Sequence, residues 1–193
     1  MNNQLNLKEV AGKMVAKGKG ILAADESTPT CTSRLDSIGI ESTFQTRNEY
    51  RDMLFTANEL EKYISGVILF DETLKQTTTC TSKFLFPELL NSKGIIPGIK
   101  VDTGAKDLAH FTNEKITEGL DGLRGRLEEY YKLGARFAKW RAVITIGDDI
   151  PSDACIAGNA HALARYAALC QESNIVPIVE PEVLMDGCHT IET

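Results

Sequence analysis

Five short apolar runs, separated by stretches of helical periodicity, set the plan of this 193-residue chain. The runs are Gly20–Glu26, Ile64–Phe70, Ile95–Asp102, Phe137–Val143 and Ile175–Glu182, and their length and Ile/Val content predict β-strands. Between them, apolar positions recur every three or four residues. Leu7, Val10, Met14 and Val15 predict an amphipathic helix over 5–18, stopped by Gly18 and Gly20. Tyr50, Met53, Leu54 and Leu60 predict a second over 47–60, and a short helix is expected near 86–92. Leu120, Leu123, Leu127 and Tyr130 predict a helix over 115–133 ended by Gly134, and Ser152 reads as the N-cap of one over 153–173. The hydroxyl-rich segment Ser27–Arg34 reads as a turn of the kind that caps a helix.

Strands alternating with helices imply βαβ units and a parallel sheet, in either an open doubly wound fold or a TIM (β/α)8 barrel. All five runs end in charged residues: Asp25, Asp71, Lys100 with Asp102, Lys139 with Arg141, and Glu180 with Glu182. A barrel explains this best, because every strand can send a residue into one mouth. The glycines after the first run do not form G-x-G-x-x-G, and no P-loop is present. The runs begin about 39 residues apart on average, so eight units need more chain than 193 residues, even against a lean barrel of roughly 200–250. The expectation is one incomplete α/β domain over 1–193, truncated after about the first five βα units.

Composition narrows the class. The chain is 42% hydrophobic and 25% charged, as soluble globular proteins are, and its net charge of −6 with no long Lys/Arg run argues against nucleic-acid binding. No apolar stretch reaches membrane-spanning length, and Asn2, Asn3, Gln4 and Asn6 are unlike a signal peptide. Five widely spaced cysteines fit reduced thiols in a cytosolic protein. His110, His161 and His189 lack metal-ligand spacing and no C-x-x-C pair occurs, so neither a built-in metal site nor a cofactor is expected.

Candidate chemistry centres on the fourth run. Strand alternation places Lys139 and Arg141 on one face and Ala138, Trp140 and Ala142 on the other. Two neighbouring cations need carboxylates or an anionic ligand, since burying unpaired charge is costly. An amine beside another cation can have a depressed pKa and act as a nucleophile. Residue types alone therefore point to Lys139 in Schiff-base carbonyl chemistry, with Asp25 and Glu180 shuttling protons, or else to purely structural ion pairs.

The strings Gly18–Ser27 (GKGILAADES), Gly66–Phe70 (GVILF), Gly98–Asp102 (GIKVD), Gly119–Leu123 (GLDGL), Phe137–Arg141 (FAKWR) and Ile175–Glu182 (IVPIVEPE) resemble class I fructose-bisphosphate aldolases, in the right order from about residue 8 to 193. The resemblance implies a lyase that reversibly cleaves fructose 1,6-bisphosphate into dihydroxyacetone phosphate and glyceraldehyde 3-phosphate through a protein-bound iminium. It implies that Asp25 handles the C4 hydroxyl proton and that Lys139 polarises the reacting centre rather than forming the iminium. Glu180 would be the general acid/base of carbinolamine formation and dehydration, and Glu182 a supporting carboxylate. Ser27, Arg34, Lys100 and Arg141 would bind or orient the phosphorylated sugar. A homotetramer is also implied. The family's iminium-forming lysine, ending strand six, and its second phosphate site would fall beyond Thr193. Pro29 and Thr30 stand where the family usually carries Gly and Ser, and Pro29 removes a backbone donor.

Other residues have plainer readings. Asp71 and Glu72 read as structural or solvated, Trp140 as core, the histidines as surface or packing residues, and Asp102 as the partner of a nearby lysine. The Leu120/Leu123/Leu127 stripe is core or subunit contact. Rival functions are a two-carboxylate glycosidase, disfavoured because Glu180 and Glu182 share one strand, and a metal-dependent aldolase, disfavoured by the missing histidine cluster. A truncated, inactive aldolase fragment is the remaining alternative.

Overall fold

Residues 6–192 are described by the structure, a computed structural model. Leu5 at the predicted start of the first helix, the polar residues Asn2, Asn3 and Gln4, and Thr193 lie outside the described residues. In chain order the elements are α1 (Leu7–Met14), β1 (Gly20–Ala24), α2 (Thr28–Asp36), α3 (Phe44–Phe55), α4 (Leu60–Tyr63), β2 (Ile64–Leu69), α5 (Asp71–Leu74) and α6 (Phe86–Ser92). There follow β3 (Ile96–Lys100), β4 (Gly104–Asp107), β5 (Lys115–Glu118), α7 (Leu123–Lys132), β6 (Phe137–Ile144), α8 (Asp153–Glu172) and β7 (Val176–Val183).

Strands β1, β2, β3, β6 and β7 form one wholly parallel sheet in sequence order. An open doubly wound sheet reverses its strand order at a switch point; this one never does. Its curvature follows from one ion pair. In a flat sheet β1 and β6 would lie three strand spacings apart, about 14 Å. Two side chains pointing the same way cannot bridge that gap, yet Lys139 on β6 and Asp25 after β1 sit 2.8 Å apart. The sheet is thus rolled into a half-barrel, with the charged strand ends on its concave side.

The two faces bury different things. On the convex face Leu69, Ile99, Ala138, Trp140 and Ala142 pack against Phe55 of α3, Phe86 and Leu90 of α6, Leu123 and Leu127 of α7, and Tyr166 of α8. Trp140 is fully buried, its ring centroid 5.5 Å from that of Tyr166. On the concave face, Val10 and Met14 of α1 close the N-terminal end over Ile68 and Phe137. Phe137 fills this layer because Gly66 and Gly98 leave it room. A Cβ on Gly98 would overlap its ring, and one on Gly66 would approach it to 3.0 Å.

Several sequence expectations need correction. The predicted 115–133 helix begins only at Leu123; residues 115–118 instead form β5, antiparallel to β4. Gly119 (φ 129°) and Gly122 (φ 66°) take backbone angles that end any helix there. Gly134 (φ 103°) does stop α7 as expected. The predicted 47–60 helix runs instead over 44–55, because Thr43 and Thr46 form a capping box, and Met53 is exposed. The hydroxyl-rich segment is itself helical, as α2, with Pro29 in its first turn. Val15 is exposed rather than part of the buried stripe of α1. After β7 no helix follows through residue 192, so the described residues hold the fifth strand without a helix to complete a fifth unit.

Candidate active site

All eight residues singled out from the sequence, Asp25, Ser27, Arg34, Lys100, Lys139, Arg141, Glu180 and Glu182, line one cleft of about 1080 Å3 at the C-terminal ends of the strands. Strand alternation brings four of them there: Lys139 and Arg141 face inward on β6, and Glu180 and Glu182 face inward on β7, where the parallel register sets Glu180 beside Arg141 and Glu182 beside Val143.

Lys139 lies at the centre. Its Nζ is 2.8 Å from Asp25 Oδ2 and 3.6 Å from Glu180 Oε2. Burial works against the charged amine, but the hydrogen bond and charge of Asp25, with Glu180 and Asp102, outweigh it and hold the Lys139 pKa above the ordinary lysine value. This corrects the expectation of an amine depressed by Arg141: three carboxylates surround Lys139, and it stays an ammonium. Glu180 Oε2 is buried and has no hydrogen-bond partner.

Around this centre the other cations are held by acids. The Lys100 ammonium pairs with Asp102, donating to Oδ1 and, at 3.0 Å, to its backbone carbonyl. Arg141 pairs through Nε with Glu182, whose hydrogen bond and charge raise the guanidinium pKa against the cost of burial. Ser27 precedes α2 without capping its backbone, and its Oγ lies 3.1 Å from Thr30 Oγ1. Arg34 pairs with Glu26 and donates to Tyr50 Oη at 3.3 Å.

The structure also reveals groups that sequence reasoning passed over. Glu26 is clamped by buried Arg51 of α3 as well as by Arg34; burial alone would raise its pKa, yet the bond and charge of Arg51 and the charge of Arg34 carry it below the usual carboxylate range. The spacing of Arg47 and Arg51 on one helix face was the available signal, since Arg47 meets Glu72 bidentately at 2.9 and 2.7 Å. The residues from Thr103 to Lys106 also line the cleft and went unnoticed with their hairpin. Asp71 accepts from Tyr130 Oη at 2.9 Å and pairs with Lys75 at 3.1 Å, in keeping with its structural reading.

His110 and His161 are exposed and His189 is half-buried. Among the described residues no group of three or more His, Cys, Asp or Glu could hold a metal ion, and no helix is long and apolar enough to cross a membrane.

The chain is similar to known proteins along its length. The model of the glycolytic fructose-bisphosphate aldolase class-I family matches residues 6–193. A probable fructose-bisphosphate aldolase class 1 from Xanthomonas axonopodis pv. citri is 62% identical over 187 residues, which are 97% of this chain and 55% of that protein. The cytoplasmic isozyme 2 of fructose-bisphosphate aldolase from Pisum sativum is 55% identical over 175 residues, 90% of this chain and 48% of that one. A solved structure of fructose-bisphosphate aldolase from Plasmodium falciparum, in complex with TRAP and a small-molecule inhibitor, superposes with a TM-score of 0.92 at 52% identity, covering 96% of this chain and 54% of its own. The chain spans about half the length of the relatives it matches.

Proposed function

The chain belongs to the class-I fructose-bisphosphate aldolase family, and from that premise we propose that it carries acid–base and phosphate-binding groups of a lyase acting on fructose 1,6-bisphosphate. The reaction is the reversible cleavage to dihydroxyacetone phosphate and glyceraldehyde 3-phosphate through a protein-bound iminium. The carrying observation is the Lys139 ammonium between Asp25 and Glu180 in a cleft lined by further cations.

In this reading Asp25 accepts the proton of the C4 hydroxyl as the C3–C4 bond breaks. The bonding electrons move into the iminium, leaving an enamine and releasing glyceraldehyde 3-phosphate as the aldehyde. Protonation of the enamine and hydrolysis of the iminium by water then release dihydroxyacetone phosphate. Glu180 moves the protons of carbinolamine formation and dehydration, with Glu182 supporting it through Arg141. Lys139 stays protonated and stabilises negative charge developing beside it. Ser27, Arg34, Lys100 and Arg141 bind the phosphorylated sugar. The iminium-forming amine is not assigned to any described residue.

The same reading takes the five parallel strands as consecutive members of a (β/α)8 barrel, residues 1–193 as one domain of it, and the assembled protein as a cytoplasmic homotetramer. It needs no cofactor. The test is Lys139→Met in the full polypeptide that carries this sequence. Turnover should fall roughly 100-fold or more, as for loss of a positioned charged group. Borohydride with dihydroxyacetone phosphate should still label a different lysine, and EDTA should leave wild-type turnover intact. Labelling of Lys139 itself, or activity lost to EDTA and restored by zinc, would count against the reading.

A further inference from the structure

Asp102 carries a role beyond pairing with one lysine. Its side chain is only 2% exposed, and its two oxygens serve three separate elements. Oδ1 takes the Lys100 ammonium at the end of β3 and, at 3.0 Å, the backbone N–H of Gly104 at the start of β4. Oδ2 accepts from the backbone N–H of Arg141 on β6 at 3.3 Å. One carboxylate thus ties the head group of one cleft cation to the backbone of the other. Its own position is fixed from behind. Arg126 Nη1 donates to the Val101 carbonyl at 2.9 Å, and the Thr103 N–H donates to the Glu118 carbonyl of β5 at 2.9 Å. Gly119 passes so close that a Cβ there would lie 3.1 Å from the Asp102 Cα.

Lys100 has three N–H donors. Two already point at Asp102, at Oδ1 and the main-chain carbonyl. The ammonium is held in one direction, leaving one donor for a ligand in the cleft. We propose that Asp102 is a positioning residue that fixes the Lys100 ammonium relative to Arg141, so that a phosphorylated substrate is seated in a single productive orientation. The proposal rests on Lys100 and Arg141 being the substrate's anion contacts. It concerns orientation rather than attraction, because the carboxylate itself opposes anion binding.

The test is a double-mutant cycle in the full polypeptide, with inorganic phosphate as the anion probe. Asp102→Asn keeps the shape but removes the charge. It is expected to lower kcat at least tenfold while phosphate inhibits at least as well as in the wild type, since the Lys100 cation remains and its carboxylate partner is gone. Loss of kcat together with weakened phosphate binding would indicate general damage and overturn the proposal, as would kcat within twofold of wild type. In the Lys100→Ala background the same substitution should change kcat less than threefold; an equal loss in both backgrounds also overturns it. If Lys100→Ala is itself silent, the anion-contact reading fails and this proposal with it; if Lys100→Ala is costly and Asp102→Asn is not, only the positioning role fails. Should Asp102→Asn not fold, Asp102→Glu takes its place in the cycle; it keeps the charge but moves it by one methylene, so kcat should fall at least tenfold while phosphate inhibits as in the wild type.

Discussion

At the level of single residues, the cleft is a set of acids and bases arranged so that no inward charge stands alone. That arrangement yields two predictions. Lys100→Ala or Arg141→Ala, in the full polypeptide, should lower kcat/KM by roughly 1.5–3 kcal/mol for each charged hydrogen bond lost to the substrate. Unchanged kinetics in both variants would remove them from the binding site. The second concerns Glu26, whose folded-state pKa lies below its unfolded value of 4.5. A depressed carboxylate contributes stability that is present above the unfolded pKa and lost as pH falls through the folded one. Glu26→Gln should therefore flatten the loss of stability below pH 4.5. It should also destabilise the protein near neutrality by on the order of 3 kcal/mol, because buried Arg51 would lose its carboxylate and keep only neutral acceptors such as the Glu26 backbone carbonyl. Acid titration of unfolding, followed by circular dichroism, reads both effects. Identities of the cleft residues were legible because alternation on a strand is rigid: once Lys139 points inward, Arg141 must too. The state of Lys139 was not, because it depends on Asp25, more than a hundred residues earlier in the chain, and on how far the sheet curls.

Among the elements, those built by one dominant period were readable and the hairpin was not. The runs leading to β2, β3, β6 and β7 and the Ser152-capped α8 needed no long-range information; Ser152 Oγ accepts from the Cys155 N–H at 3.2 Å as its position predicts. The hairpin β4–β5 has only four residues per strand and little apolar signal of its own. It exists because other elements hold it. The Asn159 amide of α8 donates to the Lys115 carbonyl at 2.9 Å and accepts from the Thr117 N–H at 3.3 Å. Thr117 Oγ1 donates to the Arg141 carbonyl at 2.8 Å, and Glu114 accepts from the Ser152 N–H at 2.6 Å. These bonds join the hairpin to α8 and to the strand that carries Lys139. Asn159→Ala should leave the buried Thr117 N–H unsatisfied and the Lys115 carbonyl with only the Cys155 thiol at 3.5 Å, and cost about 1–3 kcal/mol. Amide exchange over residues 115–118 should quicken more than exchange in β2 or β3. Equal protection in the variant and wild type would show that Asn159 does not anchor the hairpin.

For the whole molecule the decisive feature is that the sheet is curved but open among the described residues. Strands β1 and β7 each pair on one side only. Val179 and Val183 of β7 are 48% and 47% exposed, so the edge is apolar as well as unpaired. An edge of this kind is a template for pairing with another chain, and closing a barrel is one way to remove it. A polypeptide of residues 1–193 prepared alone should therefore self-associate through β1 and β7, giving a concentration-dependent mass by light scattering and a non-cooperative thermal transition. Because Lys139 is held as an ammonium by Asp25, this polypeptide should also remain unlabelled at Lys139 when treated with dihydroxyacetone phosphate and borohydride. A polypeptide long enough to pair both edges should lose the self-association. If residues 1–193 instead gave a monomer that unfolds cooperatively and is labelled at Lys139, both the exposed edges and the protonated state of that amine would be wrong as drivers of its behaviour.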